Sequence, residues 1–153
     1  MNVTSDKWIS RLLGMAHEVA SWSKDDSTKV GAIITTEDGR PMSWGFNGFP
    51  MGVDDSIPGR HERPAKYKWT AHAEQNAIDM SPNHDLSDTV LFVTFFPCSG
   101  CARTIIQKKI KTLVVDSRFT VSKVPERWAE DMKISEEMLR EAGVEIIEGD
   151  IAE

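Results

Sequence analysis

Cysteine is scarce in this sequence, and long apolar runs are missing from it. Only two of the 153 residues are cysteine, and both lie in one C-x-x-C, Cys98 to Cys101, which rules out the disulfide framework of a small secreted domain. No apolar run approaches the roughly 20 residues that span a bilayer. The start, MNVTSDKW, lacks the basic and apolar segments of a signal peptide. We therefore expect a cytoplasmic protein without a membrane partner.

Positive charge is also in short supply. Lysine and arginine number 18 against 24 acidic residues, and the formal net charge is -6. Proteins that hold duplex nucleic acid usually present a basic face, whereas here QKKIK is the only short basic cluster. A polynucleotide partner is therefore disfavoured, but a small anionic ligand needs only a few local donors. The length and the 40% hydrophobic content predict one globular domain spanning residues 1–153.

The first periodic segment, SDKWISRLLGMAHEVASWS, predicts a helix. Its apolar residues recur at alternating steps of four and three and should form one core-packing face: Trp8, Leu12, Met15, Val19 and Trp22. His17 on this helix is expected to be structural or exposed.

The rest of the chain alternates between strand and helix patterns. Val30 to Thr36 and a second strand near Pro41 predict a hairpin around Asp38-Gly39. Residues 47–70 have no clear period and predict a long functional loop. Helix, strand, helix, strand, helix and strand patterns follow. Because helical crossovers join the last three strands, we expect an α/β fold: three α/β/α layers around a mixed five-stranded sheet with helices on both faces.

The fragments HAE and PCSGC carry the candidate chemistry. Zinc binds imidazole and thiolates, and a catalytic zinc keeps three protein ligands and one open position. His72, Cys98 and Cys101 match that set, and Pro97 should end a strand just before it. Glu74, two positions from His72, could carry protons beside the metal without binding it.

Two other interpretations of these fragments stay open. A thioredoxin-like redox pair would explain the C-x-x-C but would leave HAE without a role. A structural zinc site would need a fourth protein ligand, for which His84 or His61 is available.

The combination H-x-E…P-C-x-x-C is the signature of zinc-dependent nucleobase deaminases. The surrounding sequence, from about Asp25 to Gly143, resembles the deoxycytidylate (dCMP) deaminase family through DDSTKVGAII, GFNGFPMG, KYKWTAHAEQNAI, FFPCSGCARTIIQKKI and MLREAGVEI. The resemblance implies a cytidine deaminase-like fold, one catalytic zinc per subunit, and hydrolysis of dCMP to dUMP and ammonia. It makes Glu74 the proton carrier. If a phage encodes the protein, its site of action would be the host cytoplasm.

The resemblance also implies a substrate site. The residues expected to line it are Ser27, Thr28, Lys29, Asn47, Tyr67, Ala73 and Phe119. Ser27, Thr28 and Lys29 would meet the phosphate, Asn47 the sugar, and the two aromatic rings the pyrimidine. Simpler roles remain open: Asn47 could stabilise a turn, Lys29 could be a solvated strand end, and Tyr67 could pack the loop.

Relatives in this family are often hexamers that dCTP activates and dTTP inhibits. By resemblance, the effector residues are Gly45, Phe46, Asn47, Gly48, Asp54, Arg60 and Arg63, and Mg²⁺ would accompany the triphosphate. We therefore expect a regulated homo-oligomer, with dCMP as substrate and dCTP and dTTP as effectors. Two alternatives remain: deamination of another substrate, such as cytidine or tRNA adenosine, and a zinc-stabilised nucleotide-sensing module without catalysis.

Overall fold

The structure, a computed structural model, describes residues 2–152. Within this range the strands are β1 Gly31–Thr36, β2 Pro41–Phe46, β3 Thr89–Val93, β4 Thr112–Asp116 and β5 Glu145–Gly149. The helices are α1 Asp6–Ala20, the single turn α2 Lys66–Trp69, α3 Ala73–Met80, α4 Ser99–Gln107 and α5 Glu126–Glu141. No helix in this part of the chain is both long and apolar enough to cross a membrane.

One mixed sheet runs through the described residues in the order β2-β1-β3-β4-β5. The hairpin strand β1 pairs antiparallel with both β2 and β3. β3, β4 and β5 are mutually parallel, because α4 and α5 carry the chain back between them. The predicted mixed five-stranded sheet is thereby confirmed.

Helices cover both faces of the sheet, as predicted. α1 packs on one face, where Ile9, Leu12 and Leu13 meet Phe92 and Val114. The other face carries α3, α4 and α5 over the main hydrophobic core. Alternate residues of β3 and β4 point to opposite faces, so each central strand is buried on both sides.

The face that α1 buries agrees with the predicted one only in part. Met15 is 44% exposed and Trp22, beyond the end of the helix, is 49% exposed. Ile9, Leu13 and Ala16 are buried in their place. Leu12 and Val19 of the predicted stripe are buried as expected. The buried face is therefore a wider i, i+3, i+4 stripe, which includes these two residues but not Met15 and Trp22.

Two glycines let helices approach the sheet closely. A Cβ on Gly45 of β2 would lie 2.4 Å from the carbonyl oxygen of Ala73 in α3, and a Cβ on Gly31 of β1 would lie 2.0 Å from that of Ala16 in α1. Both neighbours are backbone and cannot move aside cheaply. Gly45 therefore sets how deeply the start of α3 sits on the sheet.

Asp116, at the end of β4, is the centre of a buried ionic cluster. Its carboxylate is 2.7 Å from Nε2 of His17 in α1 and 2.7 Å from Nη2 of Arg118. The side chain of Asp116 is 1% exposed. Burial raises the pKa of this carboxyl, but hydrogen bonds from Arg118 and His17 outweigh burial and lower it to about 2. The cluster ties α1 to the turn after β4.

Asp116→Asn tests this cluster by removing its negative charge at nearly constant size. A carboxyl whose pKa is lower in the folded state stabilises the fold fully at any pH above its ordinary pKa of 3.8. That contribution is lost as the pH falls through the pKa of about 2 that the carboxyl has in the folded protein. We expect the variant to lose about 2 kcal/mol at pH 7 and the deficit to shrink toward pH 3. Urea unfolding at several pH values measures this, with exposed Asp88→Asn as the control. A deficit that does not depend on pH would contradict the ionic assignment.

Candidate active site

Two helix N-termini meet at the candidate metal ligands. His72 is the N-cap residue of α3, and Cys98 is the N-cap residue of α4. Cys101 follows at the third position of α4, where an N-cap side chain and its third neighbour lie close together, as they do in a capping box. The partial positive charge of the helix start favours thiolates at both sulfurs.

The ligand atoms have the spacing of a tetrahedral site. Nδ1 of His72 lies 3.3 Å from Sγ of Cys98 and 3.4 Å from Sγ of Cys101. Zn–S bonds of about 2.3 Å and Zn–N bonds of about 2.0 Å imply N···S edges of about 3.5 Å in a tetrahedron. Within residues 2–152, this trio forms the one group of His, Cys, Asp or Glu side chains with metal-binding spacing. The residues present therefore fit a zinc ion.

The three ligands share protons that a metal ion would replace. The hydrogen bond with Cys98 is the main reason why the pKa of His72 rises to about 9, against the opposing effect of burial. The hydrogen bond with Cys101 lowers the pKa of Cys98 to about 4, again against burial. The same bond raises the pKa of the Cys101 thiol.

Glu74, on the first turn of α3, lies beside the ligands and is 4% exposed. Burial raises the pKa of its carboxyl, while the hydrogen bond with Cys101 and the charge of His72 oppose that effect. A buried carboxyl with a raised pKa beside a candidate metal site is the kind of group that serves as a general acid–base.

Two of the three ligands, His72 and Cys98, and Glu74 open onto one cavity, called here the main cavity. Its lining residues are Asp25, Thr28, Val30, Asn47, Arg63, Lys66, Tyr67, Thr70, His72, Ala73, Glu74, Phe95, Phe96, Cys98 and Trp128. Tyr67 and Trp128 meet edge to face, with ring centroids 5.4 Å apart. Phe95 stacks on Phe119 behind it at 5.9 Å. The cavity therefore has aromatic walls beside the metal ligands.

Away from the ligands, the main cavity carries a cationic group. Nζ of Lys66 lies 2.7 Å from Oγ of Ser27 and 3.3 Å from the carboxylate of Asp25. Arg63 also donates to Oγ of Ser27, at 3.2 Å. Asp25 accepts the backbone N–H groups of Ser27 and Thr28, and these bonds, with the charge of Lys66, lower its pKa against burial. This part of the cavity is suited to an anion.

The structure distributes the predicted substrate residues unevenly. Thr28, Asn47, Tyr67 and Ala73 line the main cavity. Ser27, as just described, joins Lys66 and Arg63 at its edge, and Phe119 lies one layer back behind Phe95. Lys29 is exposed and is not part of the lining.

Asn47 uses its side chain to hold neighbouring backbone. Its Oδ1 accepts the N–H of Val30 at 2.9 Å, and its Nδ2 donates to the carbonyl of Thr28 at 2.9 Å. The amide thus shapes the segment before β1, which is also a cavity wall. A contact from Asn47 to a sugar stays a prediction.

The predicted effector residues lie in several places. Phe46, Asn47 and Gly48 line a neighbouring cavity together with Trp22, Lys24, Asp25, Phe49, Asp55, His61 and Thr70. Gly45 packs under α3. Arg60 donates to the carbonyl of Asp54 at 2.9 Å and lies over the ring of Trp69. Arg63 lines the main cavity instead.

Several site residues escaped the sequence reasoning. Asp25, Lys66, Thr70, Phe95 and Trp128 line the main cavity. Lys66 begins the segment KYKWTAHAE, six residues before the ligand His72. Its closeness in sequence to a ligand could have indicated a place near the site. Trp128 comes from α5, far along the chain, and no local pattern marks it.

The geometry also bears on the two other interpretations of the cysteine pair, a redox pair and a structural zinc site. Both cysteines are free thiols, and the imidazole nitrogen lies against both sulfurs, which a redox pair would not need. His61 stacks on Phe49 at 4.7 Å and contacts the carbonyl of Asp55 at 2.5 Å, so it is engaged elsewhere. His84 is exposed. Neither histidine joins the ligand trio within the described residues.

Comparisons with known proteins agree with this site. The chain is 44% identical over 140 residues to a deaminase in the luxG 3′ region of Aliivibrio fischeri, itself uncharacterised, with 92% of each protein covered. It is 34% identical over 113 residues to human deoxycytidylate deaminase, covering 71% of this chain and 64% of the human protein. The dCMP deaminase of cyanophage S-TIM5, solved with dCMP and dUMP, has the same fold, with a TM-score of 0.73, 23% identity, and 95% and 98% of the two chains covered.

A family model of the cytidine and deoxycytidylate deaminase zinc-binding region matches residues 6–117. That range contains α1, β1 to β4, the ligand trio and Glu74. The chain therefore belongs to the zinc-binding cytidine and deoxycytidylate deaminase family and is a hydrolytic deaminase.

Proposed function

We propose that this deaminase hydrolyses dCMP to dUMP and ammonia and so supplies dUMP for dTMP synthesis. One observation carries the proposal: a single cavity is lined by His72 and Cys98 of the ligand trio, by buried Glu74, and by the cationic side chains of Arg63 and Lys66. The first set suits chemistry on a base, and the second suits a phosphate. Relatives named deoxycytidylate deaminase support the same substrate.

Glu74 is the proton carrier in this proposal. Zinc held by the trio would supply a nucleophile near neutral pH by lowering the pKa of a water molecule to about 7. Glu74 would take one proton from the attacking water and give it to N3 of cytosine as C4 is attacked. It would then move the second proton of that water, now on the C4 hydroxyl, to the departing amine, which leaves C4 as a carbonyl. The bond formed is C4–O and the bond broken is C4–N, so water and dCMP give dUMP and ammonia. The burial of Glu74 keeps bulk solvent from taking over the proton.

Aromatic side chains hold the base in this arrangement. Tyr67 and Trp128 form one wall of the cavity, and Phe95, supported by Phe119, contributes to another. Flat apolar walls suit a pyrimidine ring because stacking requires no particular hydrogen-bond pattern.

The cationic group of Lys66 and Arg63 binds the 5′-phosphate in this proposal. Lys66 is nearly buried and held in place by Asp25 and Ser27, so it loses little side-chain freedom when an anion arrives. Arg63 is more exposed and donates to the same hydroxyl of Ser27. Asp25 cancels one positive charge, so the group carries a net positive charge toward a phosphate.

Glu74→Gln and Cys98→Ala separate catalysis from metal binding. Glu74→Gln removes the proton carrier and no ligand, so we expect zinc content near that of the wild type and dCMP turnover reduced by 10²-fold or more. Cys98→Ala removes a ligand, so we expect zinc to fall as well. Elemental analysis and loss of ultraviolet absorbance on dCMP measure both quantities. His84→Ala, an exposed histidine, is the control. Normal turnover in Glu74→Gln would refute its role.

Lys66→Gln and Arg63→Gln test phosphate recognition. A lost charge-assisted hydrogen bond to phosphate corresponds to roughly a tenfold to hundredfold effect. We expect kcat/KM on dCMP to fall by that factor and kcat/KM on deoxycytidine to change little, so the ratio of the two falls. Lys68→Gln, an exposed lysine on the same short helix, is the matched control. A ratio equal to that of the wild type in both variants would remove the cationic group from substrate binding.

Regulation by triphosphates is the second part of the proposal. The neighbouring cavity has aromatic walls from Trp22, Phe46 and Phe49, and it shares Asp25, Asn47 and Thr70 with the main cavity. A nucleotide bound there, with Mg²⁺ on its phosphates, would contact these three shared residues and so affect the main cavity. We also propose that the chain is a homo-oligomer, with a hexamer as the expected form. The exposed apolar residues Trp44, Met51 and Met80 around β2 support self-association.

Effector response is measured directly on dCMP turnover. With Mg²⁺ present, we expect dTTP to slow the reaction and dCTP to relieve the inhibition, because each would favour a different arrangement of the residues that the two cavities share. ATP at the same concentration controls for metal chelation, and light scattering on the same samples reports the oligomeric state. Indifference to both pyrimidine triphosphates would rule out the regulatory part while leaving the substrate assignment intact.

A further inference from the structure

The helix that carries both cysteine ligands receives its N-terminal cap from another helix. An N-cap side chain normally accepts one of the unpaired N–H groups of the first turn. The N-cap residue of α4 is Cys98, which makes no side-chain cap hydrogen bond and whose sulfur lies 3.3 Å from Nδ1 of His72. Asp131 of α5 takes over this function: it accepts the backbone N–H of Ser99 at 2.9 Å and the hydroxyl of Ser99 at 2.6 Å.

A second residue of α5 holds the other side of the same ligand. Ser135 is fully buried and donates its hydroxyl to the carbonyl oxygen of Pro97 at 2.7 Å. Asp131 and Ser135 are four residues apart, so they lie on one face of α5. Together they hold the backbone immediately before and immediately after Cys98.

The same face of α5 also reaches the main cavity. Trp128 lies one turn before Asp131, lines the cavity and contacts Tyr67. One helix face thus sets both the wall of the cavity and the turn that carries the thiolates. The position of the Trp128 wall relative to Cys98 is therefore set through α5 and not through α4 alone.

We propose that Asp131 and Ser135 are positioning residues for the metal site. Asp131 acts as an external N-cap that fixes the turn from Cys98 to Cys101, and Ser135 fixes the turn's entry at Pro97. Neither touches a ligand sulfur in the structure's hydrogen bonds; each acts through the backbone beside Cys98. This inference rests on the proposed zinc site, and it adds two residues that the deaminase signature does not contain.

Zinc release from the folded protein tests the proposal. Removing partners that orient metal ligands typically weakens metal affinity by about 10- to 100-fold. We expect Asp131→Ala to release zinc to a colorimetric chelator at least tenfold faster than the wild type, and Ser135→Ala to release it several-fold faster. Asp131→Asn should be close to the wild type, because its amide can accept from the N–H of Ser99 and donate to the hydroxyl. Glu130→Ala, an exposed neighbour on α5, is the matched control.

A purely structural role predicts a different pattern. In that case the variants would lower the thermal midpoint, but zinc release and the absorption bands of the cobalt-substituted protein would match the wild type while circular dichroism shows an intact fold. That result would overturn the inference.

If Asp131→Ala does not fold, Ser135→Ala decides, because it removes one hydroxyl and changes the side-chain volume little. Zinc release from Ser135→Ala at the wild-type rate would also overturn the inference. A wild type that binds no zinc would instead contradict the proposed function.

Discussion

The convergence of one imidazole nitrogen and two sulfurs at two helix starts is the constraint on which the rest of the structure depends. His72 and Cys98 are 26 residues apart in the chain, yet their ligand atoms are 3.3 Å apart. The topology explains this. α3 runs away from the site, the chain turns back, and β3 returns to the same end of the sheet, where Pro97 ends the extended segment and α4 begins. Both helix dipoles then point their positive ends at the thiolates.

Holding these two helix starts together requires close packing on one side and polar bonds on the other. Gly45 lets the backbone of α3 approach β2 more closely than any side chain would allow. On the far side, α4 has no comparable glycine in the sheet beneath it among the described contacts, and its start is held by Asp131 and Ser135. A metal ion demands ligand positions accurate to a few tenths of an ångström. The close packing at Gly45 and the hydrogen bonds of Asp131 and Ser135 therefore both help to hold the ligands in position.

The ligands and the fold class could be predicted from the sequence because their signals are local. Cys98 and Cys101 share one helical turn, and the strands β3 and β4 are apolar runs of the expected length. The buried face of α1 could be predicted only in part. Leu12 and Val19 are buried as expected, but Met15 and Ile9 are both apolar, and only the sheet decides which of these two it covers. Lys66, Trp128 and Asp131 were missed for a related reason: their roles arise from contacts with residues that the fold, and not the sequence, brings near.

The acidic balance of the protein raises the question of how it would attract a nucleotide monophosphate. A net charge of -6 spread over the surface is screened beyond about 8 Å at physiological ionic strength, so the groups lining the cavity decide. There, two thiolates would neutralise a divalent ion, and Asp25 neutralises one of the two cations, Lys66 and Arg63. Glu74 adds a negative charge only when it is deprotonated, and burial raises its pKa. Lys66, Arg63 and Asp25 therefore carry one net positive charge between them, which suits an anion. This local charge, and not the charge of the whole protein, decides how the cavity meets an anionic ligand.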